Sequence, residues 1–164
     1  MVYDIVTDPN SILHRPSASV TLAEIKSREM QKFVRDMVET MYVKNGVGLA
    51  AVQIGRPIQL FTLIKSFNDL NQHEDLALFN PTWKKLSIVR KSDEEGCLSV
   101  PGLYGQIKRY ARIKVNALDK NGDPVEFIAK DFFARIIQHE VDHLNGHLYI
   151  EKAIGLHRPE RTRL

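Results

Sequence analysis

The chain has 164 residues, 43% of them hydrophobic and 26% charged, with a formal net charge of +3. That length holds about one domain and one core, and the charge supports solubility and mild attraction to polyanions but no dedicated nucleic-acid binding. No apolar run approaches the ~20 residues of a membrane span, the opening MVYDIVTDPN has no basic or apolar leader region, and the single cysteine, Cys97, excludes an intramolecular disulfide.

In chain order, Thr21-Leu-Ala-Glu24 forms a capping box. Behind it Ile25, Phe33, Val34, Met37, Val38 and Met41 recur at helical spacing, which predicts an amphipathic helix over about 22–43, ending before Asn45-Gly46. Short β-like runs follow from Gln59 to Ile64, Leu76 to Asn80 and Leu86 to Lys91. Arg112 to Leu118 alternates cleanly, then Asp119-Lys-Asn-Gly122 and Val125 to Ala129 complete a hairpin. Asp131 is placed to cap a second helix running to about Asn145, with Gly146 as the residue just beyond its end. No repeat, linker or low-complexity tract interrupts the order. The expectation is an α+β fold, mainly antiparallel sheets around a C-terminal helix, in a single catalytic domain over 1–164 with a short basic tail from about 151.

The second helix carries Gln138-His-Glu-Val-Asp-His-Leu-Asn-Gly146. Residues i and i+4 lie one turn apart on one face, so His139 and His143 can direct two imidazoles at one ion. Glu140 projects about 100° away from His139, near a water on such an ion but outside its ligand shell. A bare HExxH also arises by chance on a solvated helix. Here Phe132, Ile136, His139 and His143 share one stripe, which puts the histidines on the apolar side, where polar groups need partners.

Two histidines need a third ligand. A metzincin pattern fails because Tyr149 stands where its last histidine belongs, and a downstream glutamate has only Glu151 and Glu160 to draw on. Upstream, Asp93-Glu-Glu-Gly-Cys-Leu-Ser-Val-Pro-Gly102 holds Cys97. A free cysteine is often a small buried hydrophobe, but its thiolate is a strong ligand for zinc or ferrous iron, and a Cys-His-His set leaves a fourth position for water. Gly46-Val-Gly-Leu-Ala-Ala-Val-Gln-Ile-Gly55 is a third distinctive stretch. It lacks the Gly-Lys-Ser/Thr ending of a phosphate loop. Its small residues permit close approach of a peptide backbone, and Gln53 offers an amide to a developing oxyanion.

Together GVGLAAVQIG, EGCLSVPG and QHEVDHLNG resemble, in order and spacing, the three signature motifs of the peptide deformylase family, over nearly the whole chain to about Ile150. Val52 is a departure, since many relatives carry proline or threonine there. The resemblance implies a cytoplasmic bacterial hydrolase that removes the formyl group from the N-terminal formylmethionine of nascent chains. It implies one divalent metal on Cys97, His139 and His143, with Fe²⁺ in the working enzyme and Zn²⁺, Ni²⁺ or Co²⁺ as substitutes. Glu140 would be the proton shuttle, with Gln53 and the Leu98 backbone N–H stabilising the oxyanion. Gly48 would bind the substrate backbone, and Val47, Phe132, Ile136 and the His139 ring would line the methionine pocket. Glu95 would pair with Arg109. Nascent formylmethionyl peptides would be the partners, with transient ribosome contact, and neither specific nucleic acid nor membrane. Two rivals are a general metallopeptidase, which would cleave unformylated peptides, and a binding module with a structural metal, which would want a fourth protein ligand.

Overall fold

The structure is a computed structural model that describes residues 1–67 and 74–159. It is α+β with antiparallel sheets, as the sequence implies. Helix α1 (Leu22–Ile25) is followed by α2 (Arg28–Val43), then by strands β1 (Gly48–Ala50), β2 (Leu60–Leu63), β3 (Leu76–Lys85), β4 (Arg90–Cys97), β5 (Val100–Tyr110), β6 (Arg112–Leu118) and β7 (Pro124–Lys130). Helix α3 (Asp131–Leu144) and strand β8 (Ile154–His157) complete the order. One sheet runs β1-β2-β3-β6-β7 and the other β4-β5-β8.

The middle of the larger sheet is buried on both faces. Along β2 and β3, Leu60, Ala77 and Phe79 join one cluster with Phe33, Met37 and Met41 of α2. The intervening Phe61, Leu63, Leu76 and Leu78 join Ile137, Val141 and Leu144 of α3 on the other side. Strand alternation is what sends neighbours to opposite faces, and burial on both faces explains why these runs read as continuously apolar. Each fully buried Leu or Phe here contributes about 1.5–3 kcal/mol of transfer free energy. The same cluster takes in Val100 and Ile107 of β5, so α3 packs between the two sheets.

Four sequence expectations change. The first helix is broken: the Ser27 hydroxyl accepts from Met30 N–H and donates to Glu24 C=O, so Ser27 caps a new helix instead of continuing the old one. The run from Leu86 to Lys91 is not one strand. Leu86, Ile88 and Val89 lie exposed in the β3–β4 connection, and pairing starts at Arg90. Asp131 does not cap α3 with its side chain; it is the first helical residue, at φ +48°, and its carboxylate meets Lys91 Nζ at 2.6 Å. Within the tail, Ile154–His157 pairs with β5, while Glu160 and the residues after it lie outside the described residues. The β6–β7 hairpin and Gly146, at φ +79° just after α3, stand as expected.

Candidate active site

Helix α3 is held against β5 by Gln138, whose Oε1 accepts from Tyr110 N–H at 3.0 Å and whose Nε2 donates to Tyr110 C=O at 2.9 Å. The amide thus takes the place of a missing strand partner. This clamp fixes the rotation of α3 and turns His139 and His143 toward the end of β4, where Cys97 sits. The Sγ of Cys97 and Nε2 of His143 are 3.1 Å apart, and one ligand atom from each of Cys97, His139 and His143 falls within a 4.8 Å group. Among the described residues, this is the group of His, Cys, Asp and Glu side chains that is clustered tightly enough for a metal ion.

His139 Nδ1 lies 2.8 Å from Glu95 Oε2. An ionised carboxylate only accepts, so Nδ1 carries the hydrogen and the Nε2 lone pair is left for an ion. Arg109 grips the same carboxylate in a fork, Nε to Oε1 at 2.9 Å and Nη2 to Oε2 at 3.0 Å, and its Nη1 donates to Asp142. Burial alone pushes the Glu95 carboxyl up, but the hydrogen bonds from His139 and Arg109 outweigh it and hold it well below the usual carboxylate range. Burial likewise pushes the Cys97 thiol up; the His143 charge and the hydrogen bonds of both imidazoles reverse this and bring it well below the ordinary thiol value. The Tyr149 ring stacks on His139, centroids 6.0 Å apart, and donates its hydroxyl to Leu103 C=O.

Glu140 is 4% exposed, and its Oε2 has no hydrogen-bond partner among the described residues. Burial raises its carboxyl above the ordinary value, against the pull of the His139 and His143 charges. A side chain on Gly48 would overlap this carboxylate, a Cβ there falling 2.9 Å from its carboxyl carbon. Gln53 is fixed by Ala50 N–H donating to its Oε1 at 2.9 Å, which points its NH₂ group at Cys97 Sγ (3.4 Å) and Ser99 Oγ (3.2 Å).

A cavity of about 450 Å³ opens onto these groups, and Val47, Gly48, Gln53, Glu95, Leu98, Phe132, Ile136, His139 and Glu140 all line it, with Cys97. His143 is 1% exposed and approaches the sulfur from behind. Arg109 stands behind Glu95. Three neighbours escaped the sequence reading: Ser99, Asp142 and Arg135, whose Nη1 meets Glu95 Oε1 at 2.7 Å. A signal for Arg135 exists, since an arginine inside the apolar run Phe132-Phe-Ala-Arg-Ile-Ile137 needs a buried partner.

The donor set fits a metal. One thiolate and two imidazoles suit zinc or ferrous iron and leave one tetrahedral position open, and the unpartnered Glu140 oxygen sits beside them. An HExxH helix packed in an α+β fold, with a candidate metal centre opening onto a cavity, is an arrangement suited to a hydrolase. The model of the polypeptide deformylase family matches residues 2–159, and the chain belongs to that family. The peptide deformylase of Aquifex aeolicus is 40% identical over 158 residues, covering 96% of this chain and 91% of the relative; that of Desulfotalea psychrophila is 39% identical over 161 residues, covering 96% and 90%. The class I type b peptide deformylase of Acinetobacter baumannii superposes with a TM-score of 0.85 at 33% identity in its actinonin-bound form, covering 94% of this chain and 99% of that one. Its Met-Ala-Ser-bound form gives 0.85 at 34% identity, covering 93% and 98%.

Proposed function

We propose that the protein hydrolyses the formamide of N-terminal formylmethionine on nascent polypeptides, releasing formate and a free α-amine. The observation that carries the reading is the buried, unpartnered Glu140 carboxylate beside the Cys97, His139 and His143 donors at the end of a peptide-sized cleft. The Met-Ala-Ser peptide of the Acinetobacter relative is what such a reaction leaves.

Cys97, His139 and His143 would hold a divalent ion, whose Lewis acidity would lower the pKa of the attacking water towards about 7. The chain's own residues do the rest. Strand β1 is an edge strand, so a peptide can add beside it, with Gly48 bonding its backbone. The methionine side chain enters the pocket lined by Val47, Phe132, Ile136 and the His139 ring. The formyl oxygen takes hydrogen bonds from the Gln53 NH₂ group and the Leu98 N–H, donors fixed before charge develops. Glu140 accepts the proton of the attacking water and returns it to the departing amine nitrogen as the C–N bond breaks. Its burial-raised affinity for protons suits both halves of that exchange. Glu95 ties His139 to Arg109, and so keeps the imidazole aimed.

The working ion in this reading is Fe²⁺, with Zn²⁺, Ni²⁺ and Co²⁺ able to occupy the same ligands; raw affinity favours zinc over ferrous iron. Substrate arrives as nascent chain in the bacterial cytoplasm through transient ribosome contact. No helix among the described residues is long and apolar enough to cross a membrane. Formate release from formyl-Met-Ala-Ser by purified protein tests the reading. Cleavage of unformylated peptides in place of formate release would transfer the protein to the peptidases.

A further inference from the structure

The side-chain pocket is not wholly apolar. Arg135 lines it together with Phe132, Ile136 and His139, one helical turn before His139 on α3. Its side chain is 6% exposed, and its guanidinium is anchored along one edge. Nη1 donates to Glu95 Oε1 at 2.7 Å and to Ile107 C=O at 3.0 Å, and Nη2 donates to Lys91 C=O at 2.7 Å. An arginine carries five N–H donors in a rigid plane, and no described residue accepts from the Nε–H of Arg135. The wall of the cavity therefore includes an immobilised cationic side chain with one N–H that no described residue takes up. Glu95 and Asp142 balance the buried charges of Arg109 and Arg135, so a neutral acceptor fits this wall better than another carboxylate does.

We propose that Arg135 extends the substrate range to formylmethionine oxidised to its sulfoxide, with the sulfoxide oxygen accepting an Arg135 N–H. The proposal rests on the deformylase reading of the same site. Oxidation turns the thioether into a polar, chiral group of nearly the same length, and an apolar pocket disfavours an analogue that adds one polar oxygen by about 10²-fold. A charge-assisted hydrogen bond restores most of that difference. The chemistry is unchanged: water hydrolyses the formamide C–N bond, formate and the free amine leave, and the sulfoxide sulfur keeps its oxidation state. Because the donor is held in one place, the two sulfoxide epimers are not equivalent.

The test compares kcat/KM for formyl-Met-Ala-Ser, its two separated sulfoxide epimers and formyl-norleucine-Ala-Ser. One epimer is expected within about 10-fold of the thioether, the other well below it. Both epimers at about 10²-fold below the thioether, the behaviour of an apolar pocket, would overturn the proposal while leaving the deformylase reading in place. Arg135→Met keeps the length and removes the donors, and should lower the sulfoxide-to-thioether ratio by about 10-fold or more, whatever it does to both rates together. An unchanged ratio removes Arg135 from the role. If that variant does not fold, the epimer comparison in the unaltered protein decides alone. No turnover of formyl-Met-Ala-Ser would instead strike the reading on which the proposal stands.

Discussion

Gly48 and Glu140 occupy one space: the Glu140 carboxylate fills the position that a side chain at residue 48 would take, its carboxyl carbon 2.9 Å from a Cβ built there. Gly48→Ala therefore displaces the proposed proton shuttle without touching a metal donor. A displacement near 1 Å costs about 10²-fold in rate, so kcat for formate release should fall by that order while bound metal stays near one per chain. Wild-type turnover in Gly48→Ala would show that Glu140 has room to spare.

Glu140→Gln keeps size and loses the proton-accepting oxygen. General acid–base catalysis contributes typically ~10²–10⁴-fold, and kcat should drop by at least that order with metal content unchanged. Since burial disfavours the Glu140 charge in the folded state, the thermal midpoint should hold or rise. A fall in both metal and midpoint would make Glu140 a ligand or scaffold residue.

Cys97→Ser replaces a thiolate with a poor neutral ligand, and metal content should collapse together with activity. Cys97→Asp, with a carboxylate in reach, should keep part of the metal. Stoichiometric metal in Cys97→Ser would return the third ligand to the unknown.

The ferrous form should be the faster one and should lose activity in air as iron or Cys97 oxidises. Anaerobic purification, metal analysis and parallel assay of iron and zinc forms decide this. Equal turnover of the two forms refutes the iron preference.

Gly146 lies at φ +79°, and a Cβ there would meet the Arg15 backbone N at 2.7 Å and the His14 carbonyl carbon at 2.9 Å. A non-glycine residue in such a conformation costs of order 1–3 kcal/mol before any clash. Gly146→Ala should therefore lower the thermal midpoint by several degrees, at roughly 2–4 °C per kcal/mol for chains near this size. A midpoint within one degree of wild type would mean that the segment carrying His14 and Arg15 moves aside at little cost.

Legibility in the sequence followed locality. The β6–β7 hairpin could be read because alternation and the Asp119–Gly122 turn lie within one short stretch, and the two histidines because one helix presents both. Strand β5 escaped because Pro101, Gly102 and Gly105 punctuate it, although its partners in β4 and β8 hold it extended. Leu86, Ile88 and Val89 looked like a strand from their side chains alone, yet they decorate a connection. The Ser27 break is local, but a hydroxyl that continues a helix and one that restarts it read alike. The Glu95–Arg135 contact joins residues far apart in sequence and only the packed α3 brings them together.

The three candidate ligands are divided between two parts of the architecture: Cys97 ends a strand of the smaller sheet, and His139 and His143 ride on the helix between the sheets, with 46 positions separating the outermost pair. An unfolded chain does not hold such a set together, so an ion that binds it favours the native state. Free cation then acts as a stabilising ligand by mass action, worth about 2.7 kcal/mol when its concentration is 100 times its dissociation constant. The melting temperature of this protein should accordingly track the logarithm of free metal in a chelator-buffered series, and a stripped sample should melt as a weaker protein of unchanged secondary structure.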